Sequence, residues 1–171
     1  MYDLTPFQID LKGLKESATA LEYDLSDAYF EAIEATEVSG GSVHTEVLVR
    51  PCAGFFEVVI RSAGSVRVTC DRCLDEMDQP VSAENRVIVK YGLDGSEADD
   101  VVRVDENEGV LDVAWLIYEF IALAIPVRHV HAPGECNAAM MEALEAHSAG
   151  GDANEDEVDS RWSALLKLKE N

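Results

Sequence analysis

Basic residues are scarce. Thirteen Lys and Arg stand against thirty-four Asp and Glu in 171 residues, a formal net charge of −21. Nucleic-acid affinity comes mainly from Lys and Arg displacing counterions, so most of this surface repels a phosphate backbone. Cysteine is scarce as well. The four, at positions 52, 70, 73 and 136, are too few and too scattered for a secreted disulfide scaffold. The longest apolar stretch, residues 110–127, contains Asp112, Glu119 and Pro126, so it reads as a buried helix and not a membrane span. Residues 1–15 lack the basic start and apolar run of a signal peptide, and a cytoplasmic location is expected. Catalytic signatures are missing too. There is no Gly-x-Ser-x-Gly, P-loop, Gly-x-Gly-x-x-Gly or His-Glu-x-x-His, and no Asp-x-Asp-x-Asp-Gly calcium loop. No enzyme, membrane association or small-molecule substrate is expected.

What is present is organised around residues 65–80, SVRVTCDRCLDEMDQP. Val66, Val68 and Cys70 alternate with Arg67 and Thr69 as in a strand, which runs directly into the Cys70-Asp71-Arg72-Cys73 turn. Upstream the pattern is mostly sheet. Phe7, Ile9 and Leu11 alternate, as do Leu21, Tyr23 and Leu25. Ser26-Asp27 then offers an N-cap to a helix over 28–35, with Tyr29, Phe30 and Ile33 as its apolar stripe. Strands follow over 43–49, 56–60 and 66–70, with turns at 50–54 and 62–64, an antiparallel meander continued by 79–91. Cys52, with no cysteine nearby, is expected to be a small buried hydrophobe.

Downstream the composition shifts. Residues 92–112 carry eight acids against Arg103 alone, reading as loop with a short strand at 101–104. Asp112 can cap a helix over 113–125, VAWLIYEFIALAI, apolar nearly all round and stopped by Pro126. Glu119 within it is expected to be buried and paired with Arg128 or Arg86. A loop over 129–136 precedes a short helix at 138–147. The expected organisation is one α+β domain over 1–147, an acidic linker over 148–159 and an amphipathic helix over 160–171. The fold class is a bent antiparallel sheet, open or barrel-like, packed with one long apolar helix and short peripheral helices.

Zinc is the first chemical reading of the cysteines. Cys70 and Cys73 supply half of a tetrahedral site, and Cys136 with His131 or His129 supplies the other half. The alternative is a reduced pair at a strand end beside ordinary loop histidines. Thiol catalysis is disfavoured, because Asp75, Glu76 and Asp78 follow the motif and Arg72 is its only local cation. Charge gives a second reading. Residues 50–90 are balanced, six acids to six bases, so Arg50, Arg61, Arg67, Arg72, Arg86 and Lys90 mark the one region able to meet RNA directly.

The blocks VTCDRCLDEMDQPV (68–81), VLDVAWLIYEFIALAIPVRHVHAPGEC (110–136) and DSRWSALLKLKEN (159–171) resemble, in order and spacing, the YceD family of large-ribosomal-RNA-accumulation proteins. The resemblance implies a non-enzymatic role in the bacterial cytoplasm, supporting 23S rRNA accumulation during large-subunit assembly. Relatives are often encoded beside a large-subunit ribosomal protein, which implies such a protein or pre-23S rRNA as partner. Carried over residue by residue, the cysteine pair is Cys70 and Cys73, the helix acid is Glu119, and the histidine loop ends in Cys136. Many relatives have a second cysteine pair in that loop. Here Cys136 stands alone with His129 and His131, and a histidine can replace a thiolate at zinc. The ligand set read from this is Cys70, Cys73, His131 and Cys136. The alternative function is a small zinc- or thiol-dependent binding protein that works through its C-x-x-C.

Overall fold

The computed structural model describes residues 2–14, 17–92 and 101–148. Its chain divides into two compact units, Met1–Cys136 and Asn137–Asn171. In the first unit, five strands form one sheet in the order β2-β3-β4-β5-β6: β2 (Thr19–Leu25), β3 (Gly40–Cys52), β4 (Phe55–Thr69), β5 (Glu76–Tyr91) and β6 (Val101–Val104). All neighbours are antiparallel except β5 and β6, which run parallel, Ile88 opposite Val101. A separate two-stranded sheet pairs β1 (Gln8–Asp10) with β7 (Val110–Asp112). The expected helix at 138–147 is present as Ala138–His147, here α3, in the second unit. Its N-terminus is capped by the Asn137 side chain, which accepts from the backbone N–H groups of Ala139 and Met140. The linker and terminal helix expected over 148–159 and 160–171 lie, from residue 149 onward, outside the described residues.

Two elements of the expected fold class are overturned. The sheet does not close into a barrel, because β2 and β6 remain edges and β1 pairs with β7 instead of extending the sheet. Nor is there a long helix among the described residues. The apolar segment forms α2 (Ala114–Ala124), eleven residues, because the strand before it runs to Asp112 and Pro126 forces Ile125 into an extended conformation. Its length is about 16 Å at 1.5 Å per residue. The helix over 28–35 is also shorter than expected, as α1 (Asp27–Ala32).

The turn expected at 62–64 is strand. One face stays mostly buried through it, with Val58, Ile60, Ser62, Val66 and Val68 buried and only Gly64 between them exposed. Small residues mark backbone crowding here, not a change of direction. Gly64 lies opposite Val43, where an added Cβ would meet the Ser42 carbonyl oxygen at 2.2 Å. Ser62 and Thr45, the two buried polar residues of the core, satisfy each other through a hydroxyl contact of 2.9 Å. Cys52 ends β3 exposed, which corrects its expected burial.

α1 packs on β2 and β3, while α2 packs on β4 and β5. The core between them includes Tyr29, Phe30, Val47, Ile60, Ile117 and Ile121. Ser26 occupies the N-cap of α1 without a side-chain bond. Asp27 reaches instead across to β3, accepting from the Gly41 N–H at 2.7 Å. Two tyrosines join the helices. Tyr29, buried in α1, donates its hydroxyl to the Ala114 carbonyl at 2.6 Å, and Tyr118 of α2 accepts from the N–H groups of Thr36 and Glu37. Replacing Tyr29 with Phe would remove that bond while leaving the Ala114 carbonyl its acceptor place in the α2 ladder. The expected cost is about 0.5–1.5 kcal/mol, read as a lower urea midpoint at unchanged m-value.

Candidate metal centre

The centre is built where β4 ends. Burial of Val66, Val68 and Cys70 on one face carries the Cys70 sulfur inward. Beyond it residues 71–73 turn back, with the Leu74 N–H donating to the Cys70 carbonyl at 3.0 Å and the Cys70 N–H to Asp75. Leu74 has φ 62, a left-handed conformation in which a leucine is strained. This turn places the Arg72 N–H 3.5 Å from the Cys70 sulfur.

The other two donors come from the loop after α2. A reciprocal pair fastens that loop to the turn. The Asp71 N–H donates to the His129 carbonyl at 3.0 Å, and the His129 N–H donates to the Asp71 carboxylate at 2.8 Å. The ring of His129 is held elsewhere, with Nδ1 3.0 Å from the Pro126 carbonyl and Nε2 3.6 Å from Asp71. Of the two loop histidines, His131, the one in the expected ligand set, is the one that lies among the cysteines. Its Nδ1 lies 3.3 Å from the Cys73 sulfur and 4.0 Å from that of Cys136, and the Cys70 and Cys136 sulfurs are 4.0 Å apart. One donor atom from each of Cys70, Cys73, His131 and Cys136 lies within 4.8 Å of the rest.

These separations discriminate between chemistries. A disulfide needs sulfurs about 2 Å apart, and all four cysteines are free. Tetrahedral ligands at zinc, with Zn–S about 2.3 Å, sit roughly 3.7 Å from one another. The cluster matches the second spacing, and its donor set can hold a metal ion. Its electrostatics suit a thiolate ligand. Burial pushes the Cys70 thiol up, but backbone N–H groups of Cys73, Arg72 and His131 pointing at the sulfur bring it down to about 5. His131 is raised above its ordinary value, first by its contact with Cys70 and against the effect of burial. Cys136 is pushed up to about 11, by burial first and then by the neighbouring sulfurs.

The residues singled out for RNA are differently placed. Arg50 faces Glu57 across β3 and β4 and pairs with it at 3.3 Å, while Arg86 reaches the same carboxylate from β5. Arg61 lies directly opposite Glu84 and pairs at 3.0 Å, and Arg67 pairs with Asp27 at 3.5 Å. Four of the six cations are thus engaged by carboxylates. Arg72 is exposed on the metal-centre turn and Lys90 is half-buried near the end of β5. Glu119 is exposed and accepts from the Trp115 indole N–H at 3.1 Å, which corrects its expected burial and its pairing with Arg128 or Arg86. Asp71 went unassigned in sequence because its partner lies fifty-eight positions away.

This acidic α+β protein thus carries a candidate metal centre of three thiols and one imidazole at a loop-to-turn junction. Compared with known families, residues 58–169 match the model described as "Large ribosomal RNA subunit accumulation protein YceD". The match covers more than half of the chain and both halves of the donor cluster, and the protein belongs to the YceD family. No curated protein and no solved structure matched the chain. The family description names an accumulation role for large-subunit ribosomal RNA and no reaction. No helix among the described residues is long and apolar enough to cross a membrane.

Proposed function

We propose that this protein supports 23S rRNA accumulation during large-subunit assembly in the cytoplasm, by binding and without catalysis. The observation that carries the reading is the family match over residues 58–169. A net charge of −21 favours a basic large-subunit ribosomal protein over bare pre-23S rRNA as the direct partner. The ion pairs of Arg50, Arg61, Arg67 and Arg86 favour the same choice, since phosphates would have to displace carboxylates already in place.

Zinc is the ion that best fits the donor set. Cys70, Cys73, His131 and Cys136 would fill all four positions of a tetrahedral ion, leaving none for substrate, which is the pattern of a structural site. Its contribution would be to fasten the loop after α2 onto the end of β4. The second reading, a binding protein that works through its C-x-x-C, is favoured by the convergence of the same four donors.

Loss of the protein should lower the ratio of 23S to 16S rRNA, and the tagged protein should enrich large-subunit ribosomal proteins after nuclease treatment. An unchanged ratio would overturn the reading. A folded Cys70→Ser/Cys73→Ser protein that still enriches ribosomal proteins would eliminate the second reading. Enrichment lost on nuclease treatment would move the contact to RNA.

A further inference from the structure

The metal-centre turn, through Cys70, Asp71 and Leu74, borders a groove of about 600 Å³. One side is the C-terminal end of α2 and the segment after it, and the other is the end of β4 with Leu74. The groove continues along α2 into a second hollow of about 480 Å³, the two sharing Thr36, Glu37, Ala122 and Leu123. Its exposed apolar side chains are large. Leu74 is 65 % exposed, Leu123 78 % and Val127 102 %. Single exposed leucines are ordinary on protein surfaces, but several gathered around one concave face mark a contact surface.

Two further observations concern what this surface takes. The backbone at Leu74 is left-handed, where asparagine or glycine would sit with less strain. The chain nevertheless places a leucine there, half out in solvent and lining the groove. Charge is the second observation. The acids lining the joined hollows are Glu37, Asp71 and Glu119, and no Lys or Arg lines either. A phosphate backbone or anionic lipid surface is repelled by that rim, and a second copy would bring the same acids against one another.

From apolar walls within an acidic rim, we infer that this groove is a docking site for a short amphipathic segment of a basic partner protein, apolar anchors flanked by Lys or Arg. The partner's apolar side chains enter between Leu74, Leu123 and Val127, and its cations meet Glu37 and Glu119. This deepens the proposed function by giving it a docking face.

The test uses the purified full chain and a fluorescein-labelled Leu/Lys amphipathic peptide of twelve residues. Its companions are a Leu/Glu peptide and a Ser/Lys peptide of the same length. Leu/Lys binding should exceed both companions, and should weaken at least ten-fold in Leu123→Ser/Val127→Ser and severalfold in Glu37→Gln/Glu119→Gln. Leu74→Asn suits the left-handed backbone, so it should keep the wild-type melting temperature while weakening the peptide. Leu144→Ser, an exposed leucine of α3, should leave affinity unchanged. Equal binding of Ser/Lys and Leu/Lys, or wild-type affinity in Leu123→Ser/Val127→Ser, would overturn the proposal. So would a self-association that this double variant abolishes, which would give the groove to a second copy. A Leu165→Ser/Leu166→Ser protein binding the peptide ten-fold tighter than wild type would assign the groove to residues 160–171, likewise overturning it. None of these readouts depends on rRNA. A groove-dependent peptide with an unchanged 23S ratio would sink the functional reading alone, and the reverse pattern would sink the groove alone.

Discussion

A Cys70→Ser protein should purify without stoichiometric metal, whereas the wild type should carry one zinc per chain. The serine keeps the shape of the turn but removes the sulfur toward which backbone N–H groups converge, so the remaining three donors hold the ion too weakly to retain it through purification. Cys52→Ser is the control, since Cys52 is exposed at the end of β3 and takes no part in the cluster. An ion that binds only the folded chain stabilises it by about 4 kcal/mol at a thousand times its dissociation constant. For a chain of this size that is a loss of roughly 10 °C in melting temperature on chelation. Protons should compete with the ion. The Cys136 thiol, pushed up to about 11, is protonated at neutral pH and must lose its proton to bind metal. Zinc addition should therefore release at least one proton, seen as a dependence of calorimetric heat on buffer ionisation enthalpy. Stability from the ion is retained at higher pH and lost as the pH falls. Stoichiometric zinc in Cys70→Ser would show that the cluster is not the site.

Gly64→Val should have the largest effect of any single change in the sheet, on the order of 3–5 kcal/mol. A Cβ there would sit 2.2 Å from the Ser42 carbonyl oxygen and 2.7 Å from the Val43 Cα. Both are backbone atoms of β3, so no side-chain rotation relieves the clash and the strands must part. Gly54 makes the contrast. Its φ is +85 but an added Cβ would have nothing within 4 Å, so Gly54→Ala should cost only about 1 kcal/mol, from backbone conformation alone. Urea unfolding of the two variants separates close approach from conformational preference. Near-equal midpoints would mean that β3 and β4 are not held as tightly as their register implies.

Local signals were readable in the sequence where one side chain's environment is set by near neighbours. Alternation placed the buried faces of β2, β3 and the end of β4, and the helix expected at 138–147 is present as α3. The donor set could be named because cysteine and histidine are rare in this chain and chemically distinctive. Residue chemistry alone left His129 beside His131, because what separates them is which backbone groups the ring of His129 meets after the loop folds. Small residues misled. Ser62-Ala63-Gly64 has the composition of a turn, but between two long strands the same residues relieve crowding. Glu119 misled for a related reason. A segment apolar nearly all round suggests a buried acid, whereas α2 buries Ala114, Ile117, Tyr118 and Ile121 and turns Trp115, Glu119 and Leu123 outward. The cross-strand pairs of Arg50 and Arg61 needed a register that composition does not contain.

Strand β1 pairs only with β7, Gln8 opposite Asp112 and Asp10 opposite Val110. Strands β2 to β5 follow one another along the chain and can zip hairpin by hairpin as they emerge during synthesis. β1 is made before all of them and must wait, unpaired, until the ribosome has translated Asp112. The donors His131 and Cys136 come later still. The small sheet and the metal clamp therefore form only after strands β2 to β5 have all been made.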